Sequence, residues 1–347
     1  MDLDEILACT EGLWAELKGE RLFITGGTGF VGCWLLESLV WANDALDLGV
    51  NTVVLTRRPD VFRQRMAHVA CHPGIRLHQG DVRTFEFPTG TFSCVIHAAS
   101  DFVSHRTSGE GRALFEAAVD GTRRTLSFVQ QCGARKLLFV SSGAVYGDPP
   151  ASMIDLSEDY AGGPDVASSS AAYGEAKRAE ELLCILNGRE HGFETKIARA
   201  FAFVGPYLRL DAPFAIGNFI RDRLDGGPIR VKGDGTPRRS YLYAADLAVW
   251  LWTILLRAPA ERPYNVGSDE EVSIAGAARA VARADTPELA VVIERRTDLA
   301  TTAMRYVPSV RRAQMELGLS RRVSLPEAIR RAVSWHQLDS VRAMGEG

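Results

Sequence analysis

Tyr173 and Lys177 lie four residues apart in a segment predicted to be helical, so both side chains project from one face. Tyrosine is a poor base near neutral pH because its pKa is near 10, but a neighbouring ammonium group stabilises the phenolate and brings the pKa closer to working conditions. Ser142 follows a predicted strand about thirty residues earlier, and its hydroxyl can donate a hydrogen bond to the reacting oxygen of a substrate. We therefore predict Ser142, Tyr173 and Lys177 as catalytic residues of a nicotinamide-dependent redox enzyme, with Lys177 also holding the nicotinamide ribose. Ser141 is the competing serine, for which we expect a structural hydrogen bond.

A glycine-rich turn, TGGTGFVG at residues 25–32, stands between a predicted strand and a predicted helix. In such a turn the first glycine permits a tight bend, the second lets the backbone approach a pyrophosphate, and the third allows close helix-to-strand contact. The helix N-terminus adds free N–H groups and a partial positive charge. The turn predicts an NAD(P) site that includes Gly26, Thr28, Gly29, Phe30, Val31 and Gly32.

The choice between NAD and NADP usually depends on the end of the second strand, where an acid would bind the ribose hydroxyls. That strand ends in Thr56, Arg57 and Arg58, with no acid. Guanidinium groups bind phosphate in bidentate fashion, so Arg57 and Arg58 give a slight preference for NADP. Solvated arginines that leave the preference open are the alternative.

Further cofactor contacts are expected at two other strand ends. Asp81 follows Gly80 and is a plausible acceptor for the adenine amino group. Its neighbour Val82 belongs to the same GDV segment. The small residues Ala98, Ala99 and Ser100 would let the cofactor pass over the fourth strand.

These residues require a particular scaffold. Short apolar strands at residues 22–25, 52–55, 75–78, 94–97, 136–140 and 194–199 alternate with helical segments at 30–40, 110–132 and 173–186. This alternation predicts an α/β fold with a doubly wound parallel sheet covered on both faces. An additional amphipathic helix is expected over residues 2–18, and the apolar stretch 247–256 is too short to span a bilayer, which predicts a buried helix.

Composition excludes several function classes. The 347 residues are 46% apolar and 24% charged, with a formal net charge of −3, so the chain is globular and has no global attraction to nucleic acid or to an anionic membrane. A small-molecule partner is expected. The six cysteines form no Cys-x-x-Cys pair, so no metal site is expected. The acidic N-terminus lacks the features of a secretory signal, which favours a cytoplasmic protein.

In their order, the motifs resemble the extended short-chain dehydrogenase/reductases of the NAD-dependent epimerase/dehydratase family. The segments that carry the resemblance are TGGTGFVG, GDV (80–82), HAAS (97–100), SSGAVYG (141–147), YGEAK (173–177) and GDGTPRRSYLYAADLA (233–248). The resemblance implies a Rossmann cofactor domain at 1–198 plus about 238–262, and a smaller substrate-binding domain at 199–237 and 263–347. It also implies a nucleotide diphosphate sugar as substrate and a homodimer built through a helix bundle. By motif position, Ser142, Tyr173 and Lys177 match the family's catalytic residues, Asn218 its substrate-binding asparagine, and Arg239 the arginine that grips the diphosphate.

Two departures from the family pattern bear on the reaction. Sugar-nucleotide 4,6-dehydratases have Asp-Glu directly after the catalytic Ser or Thr, whereas this chain has Gly143 and Ala144. Simple redox at carbon 4 is therefore favoured over dehydration. Ala202 stands where many relatives have an asparagine, which alters the expected hydrogen bonding to substrate.

The leading hypothesis is a nucleotide-sugar 4-epimerase, and the close alternative is a 4-keto-sugar reductase that consumes NADPH. A dehydratase or decarboxylase stays open if another acid, such as Glu175, reaches the sugar. A non-catalytic dinucleotide sensor is a further alternative, since fold does not determine function, but a sensor needs no tuned phenol.

Overall fold

The computed structural model describes residues 1–100, 111–150, 152–168, 170–295 and 303–345, with side chains described as far as residue 339. Its principal sheet has seven strands in the order β11-β6-β5-β4-β1-β2-β3, all parallel. These strands are β1 (Arg21–Thr25), β2 (Asn51–Thr56), β3 (Ile75–Gln79), β4 (Cys94–His97), β5 (Lys136–Ser142), β6 (Glu194–Ala200) and β11 (Pro263–Val266).

Successive side chains along each strand point to opposite faces of this sheet, and a hydrophobic core lies on each face. In β1, Leu22 and Ile24 contribute to one core, whereas Phe23 contributes to the other. Successive side chains of a strand point to opposite faces, and a parallel sheet must be covered on both. The predicted α/β class with a doubly wound parallel sheet is confirmed.

Helices cover both faces of the sheet, and those at the five predicted segments begin within a few residues of the predicted starts. They are α1 (Asp2–Thr10), α2 (Phe30–Ala45), α3 (Pro59–Arg65), α4 (Ala67–Ala70), α5 (Gly111–Cys132), α6 (Ala171–His191), α7 (Ala215–Leu224), α8 (Ala244–Arg257), α9 (Ile274–Ala282), α10 (Arg311–Leu317) and α11 (Leu325–Gly345). Helix α8 is buried on all sides from Ala244 to Leu256, as the apolar segment predicted. Residue 110, the expected start of α5, lies outside the described residues. Within the described ranges, no helix is both long enough and apolar enough to cross a membrane.

The prediction of one helix over residues 2–18 is wrong in its second half, because the helix ends at Thr10. A 3-10 turn, Trp14–Leu17, replaces its second half. The Trp14 indole donates to the Thr10 hydroxyl at 2.8 Å, and the buried Trp14 ring lies 5.1 Å from the ring of Trp252 in α8. Packing against α8 therefore outweighs the helical pattern, and Gly12 lies at the break.

Three small sheets accompany the principal one, formed by β10 with β7, by β12-β9-β14, and by β13 with β8. Their strands are β7 (Phe203–Val204), β8 (Ile229–Val231), β9 (Arg238–Arg239), β10 (Leu242–Tyr243), β12 (Val272–Ser273), β13 (Val291–Ile293) and β14 (Arg305–Tyr306). The strand pairing near the expected domain boundaries is as follows, and the two-domain division itself stays a prediction. Strand β11 belongs to the principal sheet because it pairs with β6, although it lies beyond residue 262, and β9 pairs with the small strands β12 and β14.

Candidate active site

The predicted site residues follow strands that end at one edge of the principal sheet. Thr25 ends β1, His97 ends β4 and Ser142 ends β5. In an open parallel sheet, ligands bind beyond the carboxyl ends of the strands. Parallel pairing of these neighbouring strands therefore gathers the glycine turn, the HAAS segment and Ser142 along this edge of the sheet.

The glycine turn is closely packed at its first and third glycines. Gly26 has φ +71°, and a Cβ atom there would collide with the Ala98 carbonyl group. A Cβ atom at Gly32 would collide with the backbone of Gly27, so α2 lies directly against the turn. Both positions therefore require glycine for the reasons that the sequence pattern gave.

The second glycine is open. Gly29 precedes α2 and is exposed, and the nearest atom to a Cβ placed there is the Gly26 carbonyl oxygen at 3.4 Å. Thr28, Phe30 and Val31 around it are half-buried. The first turn of a helix leaves N–H groups without intrahelical partners, and at the start of α2 these groups lie beside the open space around Gly29. The turn therefore has the space and the donors that a dinucleotide pyrophosphate needs.

Arg57 and Arg58 follow β2 and are exposed. The Arg57 charge acts on Asp81, which follows β3, so these two residues are near each other. Asp81 is held by Arg83, whose Nε donates to Oδ1 at 2.8 Å and whose Nη2 donates to Oδ2 at 3.1 Å. These bonds lower the pKa of Asp81. A carboxylate oxygen has two lone pairs, so Oδ2 can still accept a further bond such as one from an adenine amino group.

The remaining predicted cofactor residues line neighbouring strand ends. Val82 is half-buried and packs near Gly121 of α5, where a Cβ atom would lie 2.9 Å from Val82 Cγ1. Ala98 and Ala99 are half-buried and their amides donate to Thr25, whereas Ser100 is exposed. The backbone of β4 is thus fastened to β1 beside the glycine turn.

Ser142 begins the 3-10 turn Gly143–Tyr146, and its Oγ accepts the Ala144 amide proton at 3.1 Å. The N-terminal end of α6 lies against this turn, since a Cβ atom at Gly174 would be 2.5 Å from the Ala144 carbonyl oxygen. Because Gly174 has no side chain, α6 can approach closely, and Tyr173 is carried to the turn that holds Ser142.

Lys177 is fully buried on α6, one turn after Tyr173. Its Nζ lies 3.1 Å from Glu180 Oε2 and 4.8 Å from the centre of the Phe139 ring. Burial alone would lower the pKa of Lys177, but the Glu180 carboxylate and the Tyr173 phenol outweigh it and raise that pKa. The lysine is therefore an ammonium group beside the predicted base.

Glu180 ends a buried chain of hydrogen bonds that begins at the glycine turn. Thr25 Oγ1 lies 2.7 Å from His97 Nδ1, His97 Nε2 lies 2.9 Å from Thr122 Oγ1, and Thr122 donates to Glu180 Oε1 at 2.7 Å. Burial, followed by the charge of Lys177, lowers the pKa of His97 to about 3, so its ring is neutral. Since Thr122 gives its proton to Glu180, it must accept from His97 Nε2, and Thr25 must donate to Nδ1.

Ser141 has the structural role expected of it. Its hydroxyl donates to Glu181 at 2.5 Å, and Glu181 also binds the Arg199 guanidinium in bidentate fashion, at 3.0 and 2.7 Å. Arg199 then donates to the Tyr146 hydroxyl at 3.0 Å. This buried network ties β5, β6 and α6 together behind the turn that carries Ser142.

Tyr306 is a site residue that the sequence reading missed. Burial raises the pKa of Tyr306, the Ser142 hydroxyl lowers it and the charge of Tyr173 raises it, so the phenol lies near both residues. A Cβ atom at Gly143 would lie 2.6 Å from Tyr306 Oη and 2.7 Å from Phe201 Cζ. The phenol and the Phe201 ring thus occupy the space beside the glycine.

Arg239 and Asn218 are the two predicted substrate-binding residues. The Arg239 guanidinium lies 5.3 Å from the centre of the Tyr306 ring. Asn218 is half-buried on α7, and its side-chain oxygen accepts from Arg221 at 3.3 Å. Ala202 is half-buried between β6 and β7, with its carbonyl bound to the Leu242 amide.

Glu175 does not share the face of α6 that carries Tyr173. Two residues along a helix correspond to a rotation of about 200°. The Glu175 carboxylate instead lies 3.9 Å from Arg178 and is partly exposed. Tyr173 and Lys177 therefore share the site without this acid.

Comparison with known proteins gives one matching family model and a set of similar sequences. The model of the NAD dependent epimerase/dehydratase family matches residues 22–267. UDP-glucuronic acid decarboxylase 1 of Xenopus tropicalis is 28% identical over 323 residues, which cover 92% of this chain and 73% of that protein.

Solved structures share the fold over nearly the whole chain. Epimerase Mth375 of Methanothermobacter thermautotrophicus superimposes with a TM-score of 0.80 at 19% identity, covering 98% of both chains. UDP-glucuronic acid 4-epimerase of Bacillus cereus, solved with UDP-glucuronic acid and NAD, has a TM-score of 0.76 at 19% identity, covering 92% of this chain and 99% of its own. At these identities the likeness establishes the fold.

Proposed function

The chain belongs to the NAD dependent epimerase/dehydratase family and is an enzyme of that family, and we propose that it oxidises and re-reduces carbon 4 of a nucleotide diphosphate sugar, as a 4-epimerase. The observation that carries this proposal is Tyr173 beside the buried, ion-paired Lys177, with Ser142 on the adjoining turn. When bound, NAD(P) supplies the acceptor and donor of the hydride.

Four residues of the chain have separate roles in the proposed reaction. Ser142 holds the oxygen on carbon 4 by a hydrogen bond. Tyr173 takes the proton of that hydroxyl group as the carbonyl forms, and gives it back on reduction. Lys177 remains a charged ammonium group and would hold the nicotinamide ribose. Arg239 binds the diphosphate by its fork of donors.

The neighbourhood of Ser142 supports redox chemistry over loss of water. Elimination requires an acid and a base near carbon 6, and the positions after Ser142 carry no carboxylate. Tyr306 and Phe201 fill the space beside Gly143, so an acidic side chain at that position would collide with them. Glu175 points elsewhere, which weakens the dehydratase alternative.

Decarboxylation of UDP-glucuronic acid is the second candidate. Curated relatives carry that name at 27–28% identity, and a structural neighbour is named a 4-epimerase of the same sugar nucleotide. Both reactions share their first step, because oxidation at carbon 4 of a uronic acid gives a β-keto acid, which can lose carbon dioxide without an added acid or base. UDP-glucuronic acid is therefore the first substrate to test.

The finer assignments follow from the same residues. NADP is slightly favoured over NAD by Arg57 and Arg58, although the family is named for NAD. A homodimer is proposed through α5 and α6, where Phe115, Leu182 and Leu186 are exposed. The two-domain division and a cytoplasmic location are kept as proposals.

The experiment is an incubation of the enzyme with UDP-glucuronic acid, UDP-glucose and other UDP-, TDP-, CDP- and GDP-sugars, each with NAD or NADP, followed by NMR of the products. A product inverted at carbon 4, without net use of cofactor, is expected. A pentose with release of carbon dioxide would instead identify a decarboxylase, and steady consumption of NADPH would identify a reductase.

Tyr173→Phe tests the catalytic assignment. Activity is expected to fall at least about 100-fold because the proton-transfer group is lost. Tyr264→Phe is the matched control, since the Tyr264 hydroxyl donates to Glu316 away from the cleft. Unchanged activity in Tyr173→Phe would refute the assignment.

A further inference from the structure

Two oppositely charged side chains are buried together on α6. The side chain of Lys177 is 3% exposed and that of Glu180 is 1% exposed, and Lys177 Nζ lies 3.1 Å from Glu180 Oε2. Charged side chains are almost never so completely buried unless they are paired. Lysine has a flexible four-carbon stem, so the place of its ammonium group depends on what holds that end.

Glu180 is in turn held by a neighbouring helix. Thr122 of α5 is inaccessible to solvent, and its Oγ1 donates to Glu180 Oε1 at 2.7 Å. A hydrogen bond to the charged form of a carboxyl group favours that form. One oxygen of the carboxylate thus binds Thr122 while the other faces Lys177, so the threonine orients the negative charge toward the lysine.

Thr122 itself is oriented by His97 of β4. A hydroxyl group has only one proton to donate, and Thr122 gives it to Glu180. The Thr122 oxygen therefore accepts from His97 Nε2, which lies 2.9 Å away. Thr25, the last residue of β1, then donates to His97 Nδ1 at 2.7 Å. Each of these buried groups has a printed partner on either side, so the position of Glu180 is determined by three elements besides its own helix.

We propose that Thr122 and Glu180 are positioning residues that fix the ammonium group of Lys177 for its contact with the nicotinamide ribose. The inference rests on the proposed function, since that function gives Lys177 its contact. Both residues act only through Lys177. Removal of the Thr122 hydroxyl leaves the buried carboxylate without its donor, so Glu180 holds the ammonium group less firmly.

The first test observes Lys177 by NMR and needs neither substrate nor cofactor. Lys177 Nζ lies over the Phe139 ring, 4.8 Å from its centre, and an aromatic ring shifts the signals of protons above it upfield. The chain has five lysines, so labelling of lysine gives few signals, and Lys177→Met identifies the signal of Lys177. In Thr122→Val this signal should move from its upfield position toward that of the exposed Lys232. A Lys177 signal identical to that of wild type would overturn the proposal.

The second test measures the affinity for NAD and NADP by calorimetry. A hydrogen bond to a charged group contributes about 1.5–3 kcal/mol, so Thr122→Val should bind the cofactor at least about tenfold more weakly than wild type. Thr122→Ser keeps the hydroxyl group and should restore both the affinity and the Lys177 signal. Equal weakening by Val and Ser would mean that the loss comes from packing, and would overturn the proposal.

Thr125→Val is the matched control. It makes the same chemical change at a buried residue of α5, but the Thr125 hydroxyl donates to the Gly121 carbonyl of its own helix at 2.9 Å. Its cofactor affinity and its Lys177 signal should match those of wild type. A change in Thr125→Val as large as that in Thr122→Val would show a general loosening of α5 and would overturn the proposal.

The Lys177→Met variant tests whether Thr122 acts through the lysine. Thr122→Val should cause no further loss of cofactor affinity once Lys177 is replaced, because the group that it positions is gone. A tenfold loss in both backgrounds would assign Thr122 a separate route to the cofactor and overturn the proposal.

These tests separate the inference from the proposed function. If wild type turns over no sugar nucleotide, the proposed function fails, and the NMR signal still decides whether Thr122 and Glu180 hold Lys177. If turnover is observed while Thr122→Val leaves the signal and the cofactor affinity unchanged, the inference fails and the proposed function stands.

Discussion

Replacement of Glu180 by Gln removes the negative charge that faces Lys177 while keeping the size of the side chain. Both side chains are almost completely inaccessible, and their charged atoms are 3.1 Å apart. The Gln oxygen can still accept the proton of Thr122, but its NH2 group then faces the Lys177 ammonium group, so the variant loses both the negative charge and the acceptor for Lys177. The other titratable groups that act on Lys177 are Tyr173 and Cys184, and Lys177 in turn acts on His97.

Removing one partner of a buried ion pair costs about 3–5 kcal/mol, and the lower end of that range gives the smallest effect to be expected. With an unfolding entropy of about 2.1 cal/mol/K per residue, a loss of about 3 kcal/mol in a chain of 347 residues lowers Tm by about 4 °C. At neutral pH the Glu180→Gln variant should therefore melt clearly below wild type.

The pH dependence of this deficit identifies its cause. In wild type the pKa of Lys177 is raised above the unfolded value, so its contribution is fully present at neutral pH and is lost only as pH rises through the folded pKa. In the variant, burial without a counter-charge lowers that pKa, and the unfolded chain then binds more protons than the folded one. Stability of the variant should therefore rise with pH, by up to about 1.4 kcal/mol per unit, and the gap to wild type should narrow from pH 7 to 10.

The assay is thermal unfolding of both proteins between pH 7 and 10. Glu190→Gln is the control, because it makes the same chemical change on the same helix at a side chain that is 73% exposed, where about 0.5 kcal/mol or less is expected. A Glu180→Gln variant as stable as wild type, or a deficit independent of pH, would refute the ion-pair reasoning.

Three other predictions concern the cofactor and the assembly. Gly26→Ala should abolish NAD(P) binding measured by calorimetry, because the added Cβ atom would collide with Ala98. Gly19→Ala is the control, since Gly19 has the same φ of +71° with open space around it, and this variant should bind the cofactor normally. Equal cofactor binding by the two variants would contradict the packing argument. Arg57→Ser should weaken NADP more than NAD in competition binding, and an equal loss of both would refute a phosphate contact. Replacement of both Leu182 and Leu186 by Glu should convert the proposed dimer to a monomer, measured by light scattering, because these exposed side chains lie one turn apart on α6. An unchanged molar mass would place the interface elsewhere.

Local patterns in the sequence predict the features that depend on neighbouring residues. The turn at Gly26, Gly29 and Gly32, and the pair Tyr173 and Lys177, are set by spacing within one turn or one helix. Their context, a strand before and a helix after, was readable from periodicity. The α/β class followed for the same reason.

Features that depend on distant contacts escape such patterns. Tyr306 lies beside Gly143 and in a strand that pairs with β9, and no local spacing in the sequence connects these residues. The strand Pro263–Val266 joins the principal sheet through its pairing with β6, which no local spacing in the sequence indicates. The contact between Glu180 and Lys177 could be predicted in principle, since Glu180 lies three residues after Lys177 on the same helix. Nothing in the sequence shows, however, that both side chains are buried.

The most direct test of the account follows a deuterium label placed at carbon 4 of UDP-glucuronic acid or UDP-glucose. Oxidation and re-reduction at one carbon predicts that the label returns to carbon 4 of the product, with inverted configuration, and that the Tyr173→Phe variant releases almost no product. A label that appears at carbon 6, or a product that forms without disturbing the bond at carbon 4, would contradict the proposed redox chemistry at Ser142, Tyr173 and Lys177.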